Sequence, residues 1–177
     1  LFLIAFDTEF RPDAYLYHLP FTQILNENKI IVGITNLHIR FGLVSIFQYL
    51  SASNYTYLSG LNGILIPSVS FCIIIFLYFL NDIQSNFNKE TLFGKLFSVL
   101  IFIYICLRIN RFGEFGNDAM AHLAVFYLVS KFIYWNPKNF DTYKKILTLS
   151  VFCFLNKPFL IFTFIFPLYL FIKNLFN

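Results

Sequence analysis

The stretch FGLVSIFQYLSASNYTYLSGLNGILIPSVSFCIIIFLYFLN, residues 41–81, carries no Asp, Glu, Lys or Arg. A bilayer core about 30 Å thick takes roughly 20 apolar residues in a helix. The run is therefore too long for one crossing. Its second part, residues 58–80, has the length and apolar density of a span. Asn62, Pro67 and Ser70 within it are expected to face protein rather than lipid. Its first part, residues 43–52, reads as an amphipathic helix lying at the interface, with Ser45, Gln48 and Ser51 on the wet side.

The rest of the chain follows the same grammar. It is 58% hydrophobic, 21% aromatic and 12% charged, against roughly 25% charged in soluble domains, and its mean hydropathy is +0.69. The expected class is an all-α polytopic transmembrane bundle. Spans are expected at about 1–6, 58–80, 92–109, 119–135, 146–156 and 159–172. The last two form a hairpin, or one kinked span, broken at Asn156-Lys157-Pro158. Lys95 and Arg108 snorkel from the ends of the 92–109 span. Leu1 to Phe6 reads as the tail of a span, so a single membrane domain forming part of a longer protein is expected. Residues 136–145 read as a polar loop. Cys72, Cys106 and Cys153 lie in apolar runs without paired or metal-ligand spacing and read as small buried hydrophobes. The net charge of +4 is scattered and gives no nucleic-acid footprint.

Orientation rests on basic residues near the spans. One side holds Lys89, Lys95, Lys138, Lys144, Lys145 and Lys173. The other holds Arg11, Lys29, Arg40, Arg108, Arg111 and Lys157, spread over more loop. The difference in density places the long loop, 7–57, outside the cytoplasm.

That loop concentrates ionisable groups. It carries four of the nine acidic residues, Asp7, Glu9, Asp13 and Glu27, and two of the three histidines, His18 and His38. Asp13 follows a proline and precedes a helical stretch, 14–28, so an N-capping role accounts for it as well as a chemical one does. Pro20 kinks that stretch or confines the helix to its far side. His18, five residues on, does not stack on Asp13 in a regular helix, but near the kink it can still point toward the same pocket. Asn36, His38 and Arg40 alternate, so they share one face if the segment is extended. A second cluster holds Arg111, Glu114, Asp118 and His122. Asp118 sits at the start of a span, and His122 lies one turn further on the same face. Lys157 sits at the hairpin tip, where snorkelling explains it equally well. Ionisable groups at span ends are functional candidates. There is no His-x-x-x-His, Cys-x-x-Cys, Gly-rich phosphate loop or Gly-x-Ser-x-Gly elbow.

Asp13-Ala14-Tyr15-Leu16-Tyr17-His18-Leu19-Pro20, followed by Leu25, Asn36-Leu37-His38 and Gly42, resembles the first outer loop of the GT-C glycosyltransferase superfamily. It is most similar to bacterial members with an Asp-x-x-x-Tyr-His-Leu-Pro loop. Gly116-Asn117-Asp118-Ala119 resembles the acidic start of the fourth span in that superfamily, and Leu155-Asn156-Lys157-Pro158 its later lysine. The resemblance covers nearly the whole chain, as the N-terminal half of such an enzyme. It implies a multi-pass protein of the bacterial inner membrane. That protein would move a sugar from a polyprenyl-phosphate donor to a saccharide or lipid acceptor. It implies Asp13 as general base and Asp118 as second carboxylate. Arg11, Arg111 and Lys157 would steady the phosphate, and His18, His38, Arg40, Glu114 and His122 would line the pocket. Some members use a divalent cation; the residues here leave that open. Many members have two adjacent acids in the first loop, where this chain has Asp13-Ala14. The rival readings are a transporter or flippase of a lipid-linked saccharide, and a membrane protein without chemistry.

Overall fold

The computed structural model describes residues 12–28, 31–42, 44–85, 91–135 and 140–175. Among them the fold is helical with no strand. A π-turn, Ala14–His18, leads into α1, Leu19–Glu27; 3₁₀ turns follow at Ile34–Asn36 and Ile39–Gly42. Then come α2 (Ile46–Asn54), α3 (Gly60–Gln84) and α4 (Leu92–Leu107). After a 3₁₀ turn at Ile109–Gly113 come α5 (Asp118–Ile133) and α6 (Phe140–Asn156). A last 3₁₀ segment, Pro158–Phe164, leads into α7, Ile165–Leu175.

Two segments, Gly60–Gln84 and Pro158–Leu175, are long and apolar enough to cross a membrane, and Leu92–Leu107 is a shorter apolar helix. At 1.5 Å per residue, α3 runs about 37 Å, more than a bilayer core needs. α7 and the segment before it expose Phe159, Ile161, Ile165, Leu168 and Phe171, the contiguous apolar surface expected of a lipid-facing wall. Contacts divide the chain into two units. One is Leu1–Ile74 with Leu107–Met120, the other Ile75–Cys106 with Ala121–Asn177.

The first unit is built on Ala14, Ile64, Leu65, Val69 and Phe115, with Leu19, Tyr55 and Ile73 packed against them. Phe21 stacks on Phe41 at 5.3 Å. α1 and α2 are joined by Asn26, whose Nδ2 donates to the carbonyls of Ala52 (2.7 Å) and Tyr55 (3.0 Å), serving orphan acceptors at the end of α2. The polar side of α2 is turned inward, contrary to the sequence reading. Ser45, Gln48 and Ser51 are buried, and Tyr49 and Leu50 are exposed. A capping box explains the inversion: Ser45 Oγ accepts from Phe47 N (3.2 Å), and Gln48 Oε1 accepts from Ser45 N (2.9 Å). Two of the three polar side chains, Ser45 and Gln48, bond locally and can be buried cheaply.

The second unit has Phe79, Ile105, Leu123, Leu128, Ile146 and Leu170 at its centre, all fully buried. Lys95 does not snorkel. It is buried, and its ammonium donates to the Ser85 carbonyl just past the end of α3, where a cation complements the helix dipole. Asp82, on the last turn of α3, accepts from Tyr134 OH (2.8 Å) and from Ser98 Oγ. α3 runs to Gln84, past the end expected at residue 80. α6 likewise starts at Phe140, within the expected 136–145 loop. The chain reverses at Lys157, and Ser150 Oγ donates to the Thr163 carbonyl at 3.1 Å across the reversal. Cys72 and Cys153 are buried, but Cys106 is exposed.

Tyr134 reaches Asp82 because its ring lies against the Cα of Gly94, where a Cβ would overlap the ring carbons and hydroxyl. Gly94→Val is expected to cost about 1–3 kcal/mol by overpacking, read as a lower thermal midpoint in detergent. An unchanged midpoint would show that Tyr134 does not need that contact.

Candidate functional site

Pro20 has no N–H, and in an α-helix its ring collides with the carbonyl four residues back. The chain meets this with a wider turn. Leu19 N–H bonds to the Ala14 carbonyl, five residues back, and Pro20 falls in the first turn of α1, where it is tolerated. A π-turn brings residues five apart into line. Asp13 and His18, which α-helical spacing separates, consequently line the same cavity. Asp13 does not cap with its side chain; its carboxylate pairs with Arg40 instead.

That cavity, ≈ 90 Å³ and within the first unit, is lined from the loop by Asp13, Ala14, Tyr17 and His18. The 111–119 segment contributes Arg111, Glu114, Phe115, Gly116, Asp118 and Ala119. Three carboxylates, Asp13 from the loop and Glu114 and Asp118 from about a hundred residues further along the chain, thus share one small polar hollow. At Gly116 the two walls come close to each other. A Cβ there would lie 3.4 Å from His18 Nε2. Asp118 is in the first turn of α5, where a carboxylate is favoured by the helix dipole.

The cavity's rim is a stack. Arg40 Nη1 donates to Asp13 Oδ1 at 3.0 Å, with both side chains about half exposed. The Arg40 guanidinium lies 4.5 Å from the centre of the Tyr17 ring. The His38 ring lies parallel to Tyr17 at 6.0 Å. Residues 36–40 are not extended, as the alternation argument required, but run from one 3₁₀ turn into the next. His38 and Arg40 come together because Arg40 N donates to His38 Nδ1 at 3.2 Å; Asn36 stays exposed. Arg111 Nε lies 3.7 Å from Glu114 Oε1. An anion drawn to Arg111 competes with that carboxylate.

Arg11 lies outside the described residues. His122 and Lys157 belong to the second unit. There the His122 Nδ1 is 3.4 Å from Tyr104 OH, and Lys157 sits at the chain reversal, its N–H donating to Cys153 O at 2.9 Å. Sequence reasoning missed Tyr17, Ala14 and Ala119. The shared Asp-Ala dipeptide was the available signal: both alanines are buried beneath an acidic neighbour. Among the described residues no three His, Cys, Asp or Glu side chains converge as metal ligands.

Burial, then the Asp13 carboxylate, raise the Tyr17 phenol above its ordinary value near 10, while Arg40 pulls the other way. The folded state therefore holds the neutral phenol more tightly than the unfolded chain. The associated stability is intact below pH about 10 and drains away as pH rises toward the raised folded value. Wild type should lose thermal stability relative to Tyr17→Phe only above that pH, and Arg40→Gln should deepen the loss. Parallel curves to pH 11 would show that the phenol is not held.

The family model described as "Domain of unknown function (DUF8201)" matches residues 1–177. No curated protein and no solved structure matches the chain. With the match running over its whole length, the chain belongs to the DUF8201 family.

Proposed function

We propose that this protein is a GT-C-like glycosyltransferase. On this reading it is a multi-pass protein of the bacterial inner membrane. It transfers a sugar from a polyprenyl-phosphate donor to an extracytoplasmic saccharide or lipid acceptor. The observation that carries the reading is the shared cavity of Asp13 and Asp118. A carboxylate base needs a partly wet site beside groups that bind anions and hydroxyls, and His18 and Arg111 supply those groups in the same hollow.

The acceptor hydroxyl attacks the anomeric carbon while the bond from that carbon to the phosphate oxygen breaks. The electron pair leaves with the lipid phosphate, the acceptor proton passes to Asp13, and the anomeric configuration inverts. Such proton removal contributes typically 10²–10⁴-fold. Arg111 meets the charge growing on the phosphate, an electrostatic role. Asp118 orients the acceptor. Ligand sites usually enclose about 300–1,000 Å³, so a hollow of ≈ 90 Å³ takes only the reacting corner. The remainder of sugar and lipid extends beyond it.

The test uses the full-length protein in membranes with labelled polyprenyl-phosphate sugars. Asp13→Asn is expected to lower turnover by about 10²-fold or more, with donor binding retained. Asp118→Asn should raise the acceptor KM more than it lowers kcat. Transfer by Asp13→Asn at the wild-type rate would remove Asp13 as base. Movement of the lipid-linked sugar across the bilayer without transfer would favour a flippase.

A further inference from the structure

The second unit holds a groove that the proposed chemistry does not use. It measures ≈ 340 Å³ and is lined by Tyr127 and Lys131 of α5 and by Lys144, Lys145, Thr148 and Leu149 of α6. We propose that this groove binds the phosphate of an anionic phospholipid.

Three lysines, by stem or head, line a space of ligand size. Lys131 is half-buried and held between two aromatic faces, 4.2 Å from the Tyr78 ring centre and 5.0 Å from that of Tyr127. Such contacts steady a cation without neutralising it. Lys144 lies 4.9 Å from the Phe140 ring and 3.9 Å from the exposed carboxylate of Asp141, a surface pair of little worth. Lys145 adds a third charge from the same turn of α6, and Thr148 adds a hydroxyl donor. Gathering like charges is unfavourable until an anion joins them. Basic pockets between membrane helices are a recurrent headgroup site.

The surroundings choose lipid over a soluble anion. On the adjoining face of α6, Tyr143 and Leu147 open into an apolar groove of ≈ 590 Å³ completed by Ile161, Ile165 and Leu168. Its far wall belongs to a segment long and apolar enough to cross a membrane. Tyr134 and Trp135 follow Lys131 within one turn, and Lys173 lies 5.1 Å from the Trp135 ring. Aromatic and basic residues at one level are the mark of the headgroup region. A phosphate among the lysines with a chain along the apolar groove satisfies both surfaces.

The inference needs the chain to lie in a bilayer but not the glycosyl-transfer reading. Native mass spectrometry of the full-length protein in detergent, with phosphatidylglycerol and phosphatidylcholine of equal chain length, tests it. Wild type should retain phosphatidylglycerol in preference. Lys131→Gln/Lys144→Gln/Lys145→Gln should lower that retention about tenfold or more, and Arg108→Gln, a charge outside the groove's lining, should leave it unchanged. If the triple variant fails to fold, Lys145→Gln alone, at an exposed position, should still lower retention. Equal retention of both lipids by wild type, or wild-type retention by the lysine variants, overturns the proposal. So does full displacement of the lipid by inorganic phosphate, which would make the groove a site for a soluble anion.

Discussion

The hydrogen bond from Leu19 N–H to the Ala14 carbonyl is one residue longer than an α-turn, and the first unit depends on it. Without it, Pro20 would press its ring on the carbonyl of Leu16, and Asp13 and His18 would point to different sides. With it, the proline is accommodated, both side chains reach one cavity, and the Ala14 methyl is left facing the core. The same bond therefore answers a steric problem and creates the site's geometry, as π-bulges often do.

The second unit is held differently. Its specificity comes from a few polar contacts set among apolar helices: Tyr134 and Ser98 on Asp82, Lys95 on the Ser85 carbonyl, and Tyr78 OH with Ser130 Oγ at 2.9 Å. Packing between hydrocarbon surfaces fixes neither register nor rotation strongly when lipid is the alternative neighbour. Directional bonds supply what packing lacks. Gly94 makes one of them geometrically available by letting a tyrosine ring approach the helix backbone.

The helices were legible in the sequence wherever charge was absent for long enough. Residues 58–80 announced α3 in this way, and the break at Lys157-Pro158 was equally plain. What could not be read was the direction of the polar groups. Ser45, Gln48 and Ser51 looked wet because they are polar, yet a capping box satisfies two of them inside the fold. Lys95 looked like a snorkelling end because the Ser85 carbonyl beside it is a tertiary fact. In the site, Asp13, His18, Arg111, Glu114 and Asp118 were singled out from residue type and position. Pro20 signalled a kink near His18, but the form of that kink, a turn one residue wider than α, was not legible. Tyr17 was overlooked because one tyrosine among 11 carries no signal without its partners.

Ala14 bears on proton traffic. Its side chain is buried against Ile64, Leu65, Val69 and Phe115, so a carboxylate at that position would be driven into hydrocarbon at a cost of several kcal/mol. Positions 13 and 14 thus hold one acid where a tandem pair would have offered a relay. Asp13 is itself 55% exposed at its side chain. Under the proposed chemistry, a proton collected there drains straight to bulk water, and turnover follows the buffer outside rather than an internal wire.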